Sequence, residues 1–292
     1  MKTVKLSGPE AFESFYGEAY GERWSQLKAS LLSPTQHVAL IPPKKIPPID
    51  WRPDTYFPHV FWPAENNGDQ SIAEQAQAYF LDYASLFAAN ALEVKPGDAV
   101  LDLCAAPGGK SLYLSYALQG MGSLQCNDRS DQRRVRLKKV LADFVPHDWQ
   151  SSVMVTGHDG KLFGLKRPEA FDKILLDAPC SSERHVLKSP EHLKNWKPAR
   201  TKQMAKDQGS LICSAFDALK PGGRMVYSTC SLSRLENDGL MDWFEKKRKG
   251  QFCFVPMELV LGEKTEYGHI FLPDKTGHGP LYLSVLQKVS HV

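Results

Sequence analysis

The sequence predicts an α/β protein built on a doubly wound, mostly parallel sheet. Short apolar runs alternate with segments whose apolar residues recur at helical spacing, the pattern of strand–helix–strand units. Two of the runs, ILLDAPC and MVYSTC, finish in cysteine, Cys180 and Cys230. The carboxyl ends of parallel strands are where such enzymes carry their chemistry. The turn after the first run, DLCAAPGGKS, is made of small residues that leave backbone open to a ligand.

Along the chain, residues 10–32 read as a helical stretch carrying Phe12, Phe15, Tyr16 and Tyr20, then Trp24, Leu27, Leu31 and Leu32. The proline-rich segment IPPKKIPPIDWRPDTYFPHVFWP (41–63) excludes a regular helix or a central strand and predicts extended or turning chain over a surface. Ile72 to Leu92 reads as a helix stopped by Pro96-Gly97-Asp98. Strands follow at AVLDLC (99–104), SLQCND (123–128), VMVT (153–156), FDKILLDA (171–178) and GRMVYST (223–229). Between and after them helices are expected at 111–118, 131–144, Thr201 to Leu219 and Leu235 to Lys247. The tail GPLYLSVLQKV alternates and predicts a final antiparallel strand. These readings divide the chain into an N-terminal helical and proline-rich extension, 1–70, and a catalytic domain, 71–292.

A chain of 292 residues accommodates one large α/β domain and an appendage. No apolar run reaches the ~20 residues of a membrane span, so no membrane partner is expected. The start, MKTVKLSGPEAFESF, lacks the apolar core of a secretory signal and carries acids without arginine. A cytoplasmic location is expected, with a mitochondrial one as the alternative. Cys104, Cys180 and Cys230 end predicted strands, Cys126 lies within one and Cys213 on a helix, and no Cys-x-x-Cys pair exists. Free thiols in a reducing compartment, and no metal, follow.

A formal charge of +3 is too small to establish a nucleic-acid partner, so its distribution matters. Arg129, Arg133, Arg134, Arg136, Lys138 and Lys139 form one basic cluster, read as a solvated helix face. Arg184, His185, Lys188, Lys194, Lys197, Arg200 and Lys202 form another, placed to flank the phosphates of an RNA strand.

A Gly-x-Gly-x-x-Gly fingerprint and a Walker loop are both absent. Instead, small residues at a helix N-terminus suit a carboxylate or a phosphate. Asp128 ends the second strand, where a carboxylate suits the hydroxyls of a ribose. Asp159, in TGHDG, can accept from an adenine amino group. The alternative for both is capping of the segment that follows.

At these residues the chain resembles the RNA (cytosine-5) methyltransferases of the Nop/Sun family. DLCAAPGGK is similar to that family's S-adenosylmethionine motif, LLDAPCSS to its second signature and YSTCSLSRLEN to its third. The resemblance covers roughly residues 72 to 292, and FYGEAYGERWSQLKASLL resembles the shorter, mitochondrial-type members more loosely. It implies a Rossmann-like class I S-adenosylmethionine methyltransferase fold, with a seven-stranded sheet whose last strand is antiparallel and a short N-terminal helical extension. It implies that Cys104, Ala105, Ala106, Pro107, Gly108, Gly109 and Lys110 hold the methionine portion of S-adenosylmethionine. By the same resemblance Asp128 takes the ribose, with Arg133 close by, and Asp159, Gly160 and Asp177 line the adenine and methyl side. Cys230 is then the nucleophile, and Cys180 assists release of product. The implied partner is RNA, rRNA first and tRNA second, bound by a monomer. No PUA-like extension is recognisable, so delivery falls to the short N-terminus or to a partner protein. Where the family has acid-Ser-Ser this chain reads LDYASL, which leaves Asp82 and Ser85 without an assigned role.

Cytosine C5 is a poor nucleophile until a thiolate adds to C6 and makes an enamine-like system. The thiolate is required, and an unperturbed cysteine is only a few per cent ionised near neutrality. N3 must then receive a proton or hydrogen bond, for which a carboxyl such as Asp177, raised in pKa by burial, is expected. After methylation the C5 proton must leave before the thiolate is expelled, which calls for a second group, Cys180. DNA cytosine-5 enzymes attack with the proline–cysteine thiol and need a Glu-Asn-Val motif; its absence, with Thr229-Cys230 present, favours RNA. The target nucleotide must be unpaired or flipped. Trp51, Tyr56, Phe57 and Trp62, interleaved with Lys44, Lys45, Arg52 and His59, suit either unstacked bases or a strap across the domain's apolar face.

Overall fold

The computed structural model describes residues 7–64 and 77–290. Two helices open it, α1 (Pro9–Tyr20) and α2 (Trp24–Leu32), joined by a 3-10 turn at Gly21–Arg23. A small antiparallel sheet follows, from β1 (His37–Leu40), β2 (Arg52–Pro53), β3 (Val60–Trp62) and β4 (Tyr79–Asp82), in the order β2-β3-β1-β4. Next come α3 (Tyr83–Asn90), β5 (Ala99–Asp102), α4 (Gly109–Leu118), β6 (Ser123–Asn127), α5 (Asp131–Phe144), β7 (Val153–Thr156), α6 (Phe163–Lys166) and β8 (Phe171–Asp177). Then follow α7 (Glu183–Lys188), α8 (Pro190–Lys194), α9 (Ala199–Ala218), β9 (Leu219–Thr229), α10 (Asp238–Lys247), β10 (Phe252–Phe254), β11 (Glu263–Lys264), β12 (His269–Phe271), α11 (Pro273–Thr276) and β13 (Leu281–Lys288).

The main sheet runs β11-β12-β13-β9-β8-β5-β6-β7, with β10 also paired to β13. Its β9-β8-β5-β6-β7 portion is parallel, and β13 joins β9 antiparallel, as the alternating tail predicts. The sheet has nine strands rather than seven, because three short strands, β10, β11 and β12, join the other six on the β13 side. Successive strand residues face opposite layers. Val100, Leu175 and Val226 pack with Phe87, Leu112 and Leu137 of α3, α4 and α5. Leu101, Ile174, Leu176 and Met225 pack with Ile212, Phe216 and Phe244 of α9 and α10. Chain order reverses between β5 and β8, which opens a crevice at their carboxyl ends.

Four expectations shift. The first residues of the Ile72–Leu92 helix, 72–76, lie outside the described residues; Tyr79–Asp82 is a strand paired to β1, and the helix starts only at Tyr83. Asp82 sets that start, its carboxylate accepting from the Ala84 amide at 2.9 Å. Within the proline-rich segment, β3 is a central strand of the small sheet, tolerated because its prolines fall outside it or, as Pro53, on the edge strand β2. The C-terminal helix begins at Asp238 after a 3-10 turn at Arg234–Glu236. Cys104 and Cys180 lie in loops beyond Asp102 and Asp177, while Cys230 directly follows β9.

Of the two readings of the aromatic segment, packing holds for Trp51 and Phe57, which are buried, the latter edge-on to Tyr83, Phe87 and Tyr113. Helices α1 and α2 bury Phe12, Tyr16, Trp24, Leu27 and Leu31 in a core shared with Val186, Trp196 and Leu232, so the extension abuts the loops that follow both signature cysteines.

Candidate active site

Adjacent parallel strands bring distant residues together. β8 and β9 pair with Asp177 opposite Ser228, so the loops leaving them carry Cys180 and Cys230 to one point. The sulfurs stand 2.7 Å apart, and the Ser182 hydroxyl lies 3.2 Å from Cys230 and 3.4 Å from Cys180. Both cysteines are free thiols. The hydrogen bond from Cys180 lowers the pKa of Cys230; burial opposes this, and Ser182 adds to it. The same contact with Cys230, together with burial, raises Cys180 well above the ordinary thiol range. The contact therefore biases the pair toward losing its first proton from Cys230 and keeping the one on Cys180.

The Cys230 loop is fixed from behind. Thr229 Oγ1 donates to Asn237 Oδ1 at 2.7 Å, Asn237 Nδ2 donates to the Ser231 carbonyl at 2.9 Å, and Ser231 N donates to Thr229 Oγ1 at 3.1 Å. On the Cys180 side, Gln208 of α9 donates to the Pro179 carbonyl at 2.8 Å.

Across from the thiols, Lys110 Nζ pairs with Asp177 Oδ2 at 2.8 Å and donates to Ser85 Oγ at 3.4 Å. Ser228 Oγ donates to Asp177 Oδ1 at 2.8 Å. Burial works against the charge on Lys110, but Asp177, with Asp102 and Cys230 beyond it, holds its pKa above the ordinary value. The burial that an acidic role for Asp177 requires is missing: its side chain is 30% exposed and held as the partner of an ammonium. In this structure it accepts from Lys110 and Ser228. Thiols, Lys110 and Asp177 line one cavity of about 770 Å³ with Thr35, His37, Asp82, Arg184, His185 and Lys188. Asp82 also accepts from Gly279 N at 3.2 Å, tying α3 to the loop before β13.

A second cavity, of about 250 Å³, is lined by Asp102, Cys104 to Pro107, Gly109, Lys110 and Asp177. Gly108 caps α4 at φ 119°, a conformation glycine adopts without penalty. Asp102 is buried; its Oδ2 accepts from Ser111 at 2.6 Å and its Oδ1 has no partner. Burial pushes its pKa up to about 7, with Ser111 opposing and Asp177 adding to the rise. A third cavity, of about 480 Å³, holds Cys104, Asp128, Arg133, Asp159 and Gly160. Asp128 Oδ2 meets Arg133 at 3.1 Å and the Ala106 amide at 3.3 Å, while Oδ1 accepts from Ser130 N at 2.9 Å. Asp159 accepts from the Lys161 amide at 3.1 Å. Both acids thus bond to nearby backbone amides and also face the cavity. Asp177 lines the first two cavities and not the third, apart from Asp159 and Gly160.

Sequence reasoning overlooked Ser182 and Asp102, although both stand inside the quoted motifs, and it gave Arg184 a place beside phosphates without its tether. Arg184 is tethered to Thr35 Oγ1 from the N-terminal segment, a pairing across 149 positions with no local signal.

The family described as 16S rRNA methyltransferase RsmB/F matches residues 89–287. The mitochondrial tRNA (cytosine(34)-C(5))-methyltransferase of Danio rerio is 38% identical over 233 residues, covering 73% of this chain and 61% of the relative. Ribosomal RNA small subunit methyltransferase F of Escherichia coli O9:H4 (strain HS) is 38% identical over 205 residues, covering 68% of this chain and 42% of the relative. The chain thus spans about half the length of these curated relatives. Among solved structures, NSun6 from Pyrococcus horikoshii with SFG has a TM-score of 0.79 at 18% identity, covering 97% of this chain and 99% of that one. PH0851 has a TM-score of 0.79 at 23% identity, covering 99% of this chain and 70% of that one. These two likenesses show the fold.

Proposed function

We propose, because the chain belongs to the 16S rRNA methyltransferase RsmB/F family, that it methylates C5 of a cytidine in structured RNA, using S-adenosylmethionine and a transient bond from Cys230 to C6. What carries this reading is the meeting of two thiols, one biased to the thiolate, with a Lys–Asp pair in one cavity.

The residues present fit the methyl donor. The buried, partnerless Asp102 Oδ1 suits the ammonium of its amino-acid end, and the amides that open α4 suit its carboxylate. Asp128 serves the ribose, and Asp159 and Gly160 the adenine. Bound there, the donor supplies an electrophilic methyl on a sulfonium.

The chain's own groups do the rest. Asp177 accepts from the exocyclic amino group of cytosine while Lys110 donates to N3; uracil presents the opposite pattern at those atoms. The Lys110 ammonium then steadies the negative charge that reaches N3 as Cys230 adds to C6, a kind of stabilisation worth about 10²–10³-fold per donor. Cys180, whose pKa is raised by Cys230 and by burial, becomes the easier thiol to ionise once Cys230 is bonded to carbon. Once its own proton has passed to solvent, the Cys180 thiolate can take the C5 proton, directly or through Ser182, and the Cys230 thiolate leaves. Arg184, His185 and Lys188 flank the strand's phosphates.

Radiolabelled donor with total RNA tests the activity: label should enter RNA, be lost to ribonuclease and spare DNA and protein. Cys180→Ala should accumulate a covalent RNA adduct that survives denaturing electrophoresis, and Cys230→Ala should form none. The reverse result exchanges the two roles. Ribosomal RNA is the first substrate to test and transfer RNA the second, by bisulfite sequencing of RNA from cells lacking the protein.

A further inference from the structure

Behind the two thiols lies a pair of acids that the chemistry above does not use. Glu183 opens α7, three residues after Cys180, and Glu236 sits six residues after Cys230; both are fully buried. Ser181, the neighbour of Cys180, joins them: its hydroxyl is 2.5 Å from Glu236 Oε1 and also bonded to Glu183 Oε1. Ser231, the neighbour of Cys230, reaches Ser181 Oγ at 2.9 Å and Glu236 Oε1 at 3.0 Å. Each cysteine loop is therefore tied to the other through carboxyl groups. Among the described residues the pair is met by hydroxyls, amides and a glutamine, and by no cation. Two uncompensated charges that close together in a dry interior are not sustainable, so a proton must stay with them.

The hydrogen bonds say where. Glu236 Oε2 accepts from Ser181 N at 3.0 Å and from Gln208 Nε2 at 2.9 Å, which leaves Oε1, facing only serine hydroxyls, to carry a proton. On Glu183 both oxygens receive donors that have no other role: Leu232 N at 2.9 Å on Oε2, and the Tyr16 hydroxyl of α1 at 2.5 Å on Oε1. The single Ser181 hydroxyl proton cannot serve two carboxylates. With Glu236 protonated it need not, since Ser181 accepts from Glu236 and donates to Glu183. Burial first, then the charge on Glu183, raises the pKa of Glu236 in keeping with this.

We propose that Glu236 holds a proton at neutral pH, and that this neutral acid, linked through Ser181 to the charged Glu183, is the positioning device that sets the spacing of the two cysteine loops. The need for that spacing rests on the methyltransferase reading; the place of the proton does not. The other titratable groups facing the pair are Tyr16 and Tyr20 from α1, Tyr227 from β9, and the two thiols. Burial raises all three tyrosines, so they remain protonated donors while the pair titrates.

Glutamine substitution tests this without RNA or methyl donor. Glu236→Gln keeps an acceptor toward Ser181 N and Gln208 and puts an N–H where the proton was. Its Tm should stay within about 2 °C of the parent, and the pH midpoint for alkylation of Cys230 should not move. Glu183→Gln forces an amide against at least one donor; its Tm should fall by about 5 °C or more, and the Cys230 midpoint should move. In the parent protein, infrared spectroscopy should show a protonated-carboxyl band that Glu236→Gln removes, and this comparison decides the matter alone if Glu183→Gln does not fold. Equal behaviour of the two variants, the reverse asymmetry, or an unchanged carboxyl band overturns the proposal. Loss of RNA methylation with these results intact would instead count against the enzymatic reading alone.

Discussion

Cys230 owes its reactivity to its donors. The Cys180 thiol and Ser182 hydroxyl stabilise its thiolate against the burial that opposes it. Adduct formation in a single turnover should therefore rise with pH through a midpoint below the ordinary thiol value, because only the deprotonated form attacks. Cys180→Ala removes the largest of those donors and should move the midpoint upward; rapid-quench measurement across pH checks both. Lys110→Met should slow the same step by about 10²–10³-fold at any pH. The thiols and Asp177 were legible because each stands in a recognisable run. The ion pair between Lys110 and Asp177 was not: it joins positions 67 apart through a strand pairing that no local pattern states. That is also why Asp177 was misread as a buried acid. The burial of a strand-end residue depends on which side chain faces it, and here the neighbour is an ammonium lining the same two cavities.

At the level of elements, the alternation of period 2 and period 3.6 located the parallel strands and the helices α4, α5 and α9 to within two residues at each end, except that β9 starts four residues early, at Leu219. It failed where tertiary pairing overrode local pattern. Tyr79–Asp82 carries apolar residues compatible with a helix, yet its backbone pairs with β1, and its Tyr79 and Leu81 pack over the start of α4. The loop before α4 shows what such packing demands. A Cβ on Gly108 would stand 3.1 Å from Leu137 Cδ1 and 3.2 Å from Val140 Cγ1, at a φ of 119° that side chains rarely adopt. Gly108→Ala should cost about 1–3 kcal/mol, read as a lower denaturation midpoint, and should weaken binding of the methyl donor by displacing the amides of α4.

The whole molecule is less divided than its sequence suggests. The N-terminal helices share a core with Val186, Trp196 and Leu232, and Arg23 is held by Glu263 and Asp274 near the far end of the chain. The basic residues of the loop after Cys180 stay on the surface: His185, Lys188, Lys194, Lys197, Arg200 and Lys202 are exposed. Their clustering was visible in the sequence; that His185 and Lys188 of α7 line the thiol cavity was not. If they meet phosphates, RNA affinity should fall with salt, and Lys188→Glu or Arg200→Glu should each flatten the slope of log K against log salt by about 0.7 with little change in Tm. Filter binding over a salt series measures this.

The closeness of the two sulfurs has a consequence outside catalysis. Thiolates favour soft metals and metalloids, and a pair held this near presents both ends of a chelate at once. Trivalent arsenic or mercury should be captured here in preference to the protein's isolated cysteines, as a ring that a dithiol antidote opens and a monothiol does not.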